Sequence, residues 1–276
     1  MTDSHRPITP SEFEQKPPEP DLTEVFDSPD DLELKADIAL PDSETQNGAG
    51  VLFVHGGGWR AGERQAFRWH AHRLSRLGYL AVTIDYRLMP RSPFPAALDD
   101  CQSAVAWLRR QADRFGIDEN RIGAVGSSAG GHLVACLGVL NDRIRGVSTR
   151  VNCVVDVHGI HDFPALRDDT GTINENWEAF LGGSFGNRQP EWIRASPALQ
   201  VDGDSAPMLV VHDPRDETVP YEQSRLLVDA LVKAGRPVQF FPSPGSGHGF
   251  FYGSGNPWTQ RVWPVAVDWL DQQLHS

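Results

Sequence analysis

The sequence predicts an α/β fold with a mostly parallel central sheet, helices on both of its faces and a small cap-like insertion. Three observations carry that prediction. Val51-Leu52-Phe53-Val54, Leu80-Ala81-Val82-Thr83-Ile84, Val151-Asn152-Cys153-Val154-Val155-Asp156-Val157 and Pro207-Met208-Leu209-Val210-Val211-His212 are short, almost continuous apolar runs. Strands covered on both faces read this way, whereas a strand with one wet face alternates. Stretches of helical spacing lie between the runs, the clearest being Leu98, Cys101, Val105 and Leu108 at intervals of three and four. Finally, 276 residues without an internal repeat suit one large domain.

In chain order, residues 1–21 are rich in Pro, Glu and Ser, bury little apolar surface and are expected to form a loosely held arm. The domain is expected over 22–276. Leu32, Leu34, Ala36, Ile38 and Leu40 alternate with Glu33, Lys35 and Asp37, the pattern of a strand with one wet face. A helix is expected from Ala66 to Leu77, and another opening at Pro95, with Asp99 and Asp100 in its first turns as structural carboxylates. Residues 158–206 form the one long insertion, and their aromatic residues Trp177, Phe180, Phe185 and Trp192 suit a small cap over one end of the sheet. A helix over Tyr221–Ala234, a strand at Val238–Phe241 and a closing helix around Trp263–Leu274 complete the pattern.

Composition excludes several classes of function. A net charge of −12 repels nucleic acid and anionic membrane surfaces, so neither is an expected partner. No apolar run approaches the length needed to span a bilayer. The start Met1-Thr2-Asp3-Ser4-His5-Arg6-Pro7 lacks a basic segment followed by an apolar one, which points to a cytoplasmic location. Cys101, Cys136 and Cys153 are odd in number and sit in apolar runs, so buried free thiols are expected rather than disulfides. His158, His161 and Asp162 lack a second ligand set, and no metal or cofactor is expected.

The chemistry is concentrated in three loops. Gly126-Ser127-Ser128-Ala129-Gly130 follows one apolar run and precedes a helical one, matching the G-x-S-x-G turn that presents a strained serine at a helix start. His55-Gly56-Gly57-Gly58-Trp59 follows another strand, and Gly57 and Gly58 are candidate backbone donors to a developing oxyanion, with His55 holding the loop. Gly245-Ser246-Gly247-His248-Gly249 offers a histidine among glycines. Two carboxylates, Asp213 and Asp216, follow the strand that ends at His212. The order serine, acid, histidine, each element after a strand, suits a nucleophile, an orienting carboxylate and a base.

These pieces, with Asp85-Tyr86-Arg87-Leu88, Ala195-Ser196-Pro197 and Asp216-Glu217-Thr218-Val219-Pro220, resemble the esterase branch of the α/β-hydrolase superfamily. The resemblance is nearest to the hormone-sensitive-lipase-like families and the bacterial feruloyl and acetyl-xylan esterase-like (BD-FAE-like) families. It covers about residues 22–275 and implies the α/β-hydrolase fold. It further implies Ser128 as nucleophile, Asp216 as acid, His248 as base, and an oxyanion hole from Gly57, Gly58 and Ala129. Trp59, Ser127 and Trp177 are expected at the substrate pocket. The family usually carries Gly where this chain has Asp213. Asp216 fits better as the acid because it directly precedes the expected Val-Pro element, and because Pro214 restricts Asp213 to extended backbone. Asp213 is then expected to be an exposed neighbour whose replacement changes the rate little. The implied activity is hydrolysis of short-chain acyl esters, including acetyl or feruloyl groups on plant-type carbohydrate. The alternatives are an amide hydrolase of arylformamidase or peptidase type and a noncatalytic binding protein on the same scaffold.

Overall fold

The computed structural model describes residues 17–167, 173–252 and 256–275. Eight strands form one sheet: β1 (Leu22–Asp27), β2 (Leu34–Ala39), β3 (Gly50–Val54), β4 (Leu80–Ile84), β5 (Ile122–Ser127), β8 (Cys153–Val157), β9 (Met208–His212) and β10 (Val238–Pro242). Their spatial order is β1-β2-β4-β3-β5-β8-β9-β10, and β6 (Arg143–Ile144) and β7 (Val147–Ser148) make a separate two-stranded ribbon. Within the eight-stranded sheet, pairing is parallel from β4 to β10, whereas β1–β2 and β2–β4 are antiparallel. A parallel sheet needs crossovers, and these supply the covering helices.

Helices α2 (Ala96–Arg110), α3 (Ala129–Val139) and α6 (Glu222–Lys233) pack on one face, and α1 (Arg68–Ser75) and α7 (Pro257–Leu274) on the other. Within β3, Leu52 and Val54 point into the first core and Val51 and Phe53 into the second, so both faces of an uninterrupted apolar run are used. Two further helices, α4 (Glu175–Leu181) and α5 (Phe185–Arg194), lie within the 158–206 segment. The expected arm falls outside the described residues except for 17–21. All three cysteines are free and buried.

Two readings of the sequence need correction. The alternation over 32–40 predicts a wet face on β2, yet Asp37 is only 2% exposed. Arg64 and Arg68 reach its carboxylate at 2.9 and 2.7 Å, and Thr23 donates to it at 2.7 Å, so its polar face is covered by partners rather than by water. β1 has no counterpart in the sequence reading: it is an edge strand with one buried residue, Phe26, and carries little apolar signal.

Candidate active site

Every polar group of the site lies at the C-terminal ends of parallel strands, where open α/β sheets gather their ligands. Ser128 follows β5 directly, with φ 58° and ψ −122°, an unfavourable conformation for a residue with a side chain. The turn is held by the approach of α3 to β3: a Cβ on Gly130 would lie 2.0 Å from the Val54 carbonyl oxygen, so only glycine fits. Ser128 Oγ donates to His248 Nε2 at 2.8 Å, and His248 Nδ1 donates to Asp216 Oδ2 at 2.7 Å. Asp216 Oδ1 accepts the N–H groups of Thr218 and Val219 at 2.8 and 3.0 Å. Burial alone would raise the Asp216 pKa; hydrogen bonds from His212, His248 and the Val219 N–H outweigh it and hold the carboxyl well below the usual carboxylate range.

Asp213 is not the exposed neighbour expected from sequence, being 2% exposed. Its carboxylate accepts the N–H groups of Arg215 at 3.0 Å, Gly245 at 3.0 Å and Gly247 at 2.9 Å. It therefore pins the loop that carries His248. Burial works to raise its pKa, and these backbone donors bring it below the ordinary value. Extended backbone before Pro214 does not by itself decide which way the Asp213 side chain faces. In the fold that backbone directs it into the neighbouring β10–α7 loop.

His158, at φ 45°, is fully buried beneath the site. Its Nε2 accepts from the Ser127 hydroxyl at 2.9 Å and from the Gly249 N–H at 3.4 Å, and its ring lies 4.2 Å from that of His248. It thus bridges the residue before Ser128 and the residue after His248. Burial, then the neighbouring His248 and His212, push its pKa well below the ordinary value, so it is neutral. His212 supports Asp216 from the other side: its Nε2 lies 3.4 Å from Asp216 Oδ2 and donates to the Val219 carbonyl at 3.1 Å, while Nδ1 accepts from Ser224 Oγ at 2.7 Å. His158, Asp216 and His248 bring one potential metal-ligand atom each within 4.8 Å of one another, but those atoms already hold the hydrogen bonds just described. His161 points away, with Nε2 3.0 Å from Asp156 Oδ2.

Gly57, Gly58, Trp59, Ser128, Ala129, Trp177 and His248 border a cavity of about 260 Å³. A Cβ on Gly57 (φ 110°) would lie 2.2 Å from the Ala61 carbonyl oxygen, so the loop requires glycine there. Ala129 is the first residue of α3, and its N–H has no acceptor within the helix. His55 Nδ1 donates to the Gly56 carbonyl at 2.8 Å, and its ring stacks on Tyr86. Tyr252, which sequence reasoning missed, accepts the Gly56 N–H at 2.5 Å and donates to the Ser127 carbonyl at 3.0 Å, tying the glycine loop to the turn. Burial pushes its hydroxyl up to about 12, so it remains a donor.

Trp59 and Trp177 border the cavity, and Trp59 stacks on Phe180 of α4 with ring centroids 3.9 Å apart. That stack attaches the 158–206 segment to the glycine loop. Ser127 does not line the cavity. It is fully buried, because the alternation at the end of β5 turns its side chain inward to His158 while Ser128 faces out.

The family model BD-FAE matches residues 36–231. Esterase LipC of Mycobacterium tuberculosis is 35% identical over 76% of this chain, which spans 55% of LipC. An acetyl-hydrolase of Streptomyces hygroscopicus is 31% identical over 74% of this chain and 68% of its own. Thermogutta terrifontis Est2, a thermophilic esterase solved with propionate bound, superposes with a TM-score of 0.80 at 28% identity, covering 94% of this chain and 96% of its own. The same esterase has been solved phosphonylated by sarin, with a TM-score of 0.82, 28% identity and coverage of 94% and 97%. The chain spans about half the length of the Mycobacterium relatives it matches.

Proposed function

Because the chain belongs to the BD-FAE family of α/β-hydrolases, we propose that it is a serine carboxylesterase acting on short-chain acyl esters. The observation that carries this reading is the unbroken run of hydrogen bonds from Ser128 Oγ through His248 to Asp216 beside a cavity bordered by Gly57, Gly58 and Ala129. Ser128 Oγ attacks the ester carbonyl carbon as His248 Nε2 takes its proton. Asp216 fixes the imidazole tautomer and stabilises the imidazolium. The N–H groups of Gly57, Gly58 and Ala129 receive the oxyanion. Collapse breaks the bond to the alkoxy oxygen, which leaves as the alcohol with the proton from His248. Water, deprotonated by the same histidine, then attacks the acyl-Ser128 carbonyl and releases the acid with the serine restored.

The size of the cavity and its bordering tryptophans Trp59 and Trp177 favour a small uncharged acyl group. The propionate-bound state of Est2 and the acetyl-hydrolase relative support the same range. Acetyl and feruloyl groups on plant-type carbohydrate are the substrate classes proposed. A nitrophenyl ester series from acetate to decanoate, run beside acetylated xylan, a feruloyl ester and a formyl anilide, tests this. Fastest turnover of acetate to butyrate esters is expected, together with a loss in kcat on the order of 10⁶ in Ser128→Ala. Preferential cleavage of the anilide would make the protein an amide hydrolase. A fluorophosphonate adduct on Ser127 would refute the nucleophile.

A further inference from the structure

A second cavity, about 620 Å³, is a groove at the end of the sheet opposite Ser128. It is lined by residues that precede strands, Asn152 before β8, Pro207 before β9 and Arg236 before β10, whereas the Ser128 site follows strand ends. The two are separated by the length of a five-residue strand, about 16 Å.

Four arginines line it, Arg109, Arg143, Arg150 and Arg236, against two acids, Glu119 and Asp204. This surplus of positive charge stands in a chain of net charge −12. Among the described residues only Arg150 pairs with a carboxylate, Asp202 at 2.9 Å. The others are held by backbone carbonyls. Arg109 donates to the carbonyls of Glu119, Ser148 and Arg150, Arg236 to those of Ser205 and Gly203, and Arg143 to that of Gly146. A carbonyl fixes the direction of a guanidinium and leaves its charge uncompensated. Burial lowers the pKa of Arg109; Glu119 works against this and repulsion from Arg143 adds to it. The N–H groups not used on carbonyls remain for a ligand, and planar guanidinium forks match phosphoryl oxygens in pairs.

We propose that this groove is a binding site for an oligophosphate chain, remote from the esterase centre. A single orthophosphate would occupy only part of a cavity this large and meet fewer of the four guanidinium groups. A chain of two or three phosphoryl groups spans several of them at once.

Calorimetric titration with tripolyphosphate, with orthophosphate and sulfate as comparisons, tests the proposal. One saturable site is expected, weaker in 200 mM than in 50 mM salt, with tripolyphosphate binding at least tenfold more tightly than either comparison. Arg236 also caps Ser205, so the exposed Arg143 is the better residue to change. Arg143→Ala is expected to weaken binding five- to tenfold while short-ester turnover stays at the wild-type level. Asp204→Asn, which removes an opposing charge, is expected to tighten binding two- to threefold, a change in the direction that damage to the fold does not produce. Absence of a saturable site, equal binding of sulfate, or an unchanged affinity in Arg143→Ala would each overturn the proposal.

Discussion

Replacing Asp213 by Asn separates a carboxylate that builds the loop from one that works beside the histidine. Asp213 accepts three backbone N–H groups, and two of them, Gly245 and Gly247, belong to the segment that delivers His248. An amide keeps one oxygen as acceptor and turns an NH₂ toward the remaining donor, so at least one buried N–H is left facing another donor. Losing a hydrogen bond to a charged acceptor costs about 1.5–3 kcal/mol. Part of this falls on the folded state as a whole and part on the fraction of molecules with His248 in reach of Ser128. If the whole cost fell on the latter, kcat would fall by about 10- to 100-fold at 1.4 kcal/mol per decade. Asp216→Asn acts differently: it disturbs the tautomer of His248 directly, for which about 10⁴ in kcat is the measure in a serine protease. Steady-state kinetics on one short-chain ester and thermal melting should be recorded for both variants. Asp213→Asn is expected to lower kcat by one to two decades and to melt several degrees earlier. Asp216→Asn should lose far more kcat with a smaller change in melting. Wild-type kcat and melting in Asp213→Asn would refute the pinning argument, and a larger kcat loss there than in Asp216→Asn would transfer the orienting role.

Three further outcomes follow from the same geometry. His158→Ala removes the bridge between Ser127 and Gly249 and is expected to lower kcat about tenfold with KM nearly unchanged, measured on the same ester; an unchanged kcat would show that the bridge does not set the base. Trp177→Ala enlarges the cavity, and at about 0.8 kcal/mol per buried methylene the ratio of kcat/KM for hexanoate over acetate should rise by roughly fourfold for each methylene admitted; no shift in the ester series would place the acyl group elsewhere. His70 and His132 are buried, and burial lowers the pKa of each to about 3. Since the unfolded chain protonates them from about 6.5 downward and the folded protein only near 3, stability is lost as the pH falls through this window, by about 1.4 kcal/mol per unit for each histidine. Denaturant midpoints between pH 7 and 4 measure this, and a flat profile would contradict it.

The parts of the molecule legible in the sequence are those fixed by local rules. Val51–Val54 and Met208–His212 read as strands because both faces are apolar, and the glycine turns around Ser128 and Gly57 read as such because their backbone tolerates little else. The segment 158–206 was legible only as an insertion rich in aromatic residues; its helices α4 and α5 carry a proline and short apolar stripes, so periodicity alone did not resolve them. β1 was missed for a similar reason, its stability coming from pairing with β2 and from Phe26 against Trp107.

What stayed hidden has a common physical cause: it depends on which polar side chain faces inward, and that is decided by neighbours distant in sequence. Asp213, 32 and 34 positions before Gly245 and Gly247, becomes a loop anchor only once β9 and β10 lie side by side. Ser127 leaves the pocket because His158, at the end of the adjacent β8, offers it a buried acceptor. Tyr252 joins the glycine loop to the serine turn across nearly 200 positions of chain. Each of these residues holds one loop of the site against another, adding to the contacts within loops such as those from Thr218 and Val219 to Asp216. The proposed nucleophile, base and acid can be read from their local motifs, whereas the groups that keep them within hydrogen-bonding distance exist only in the assembled sheet.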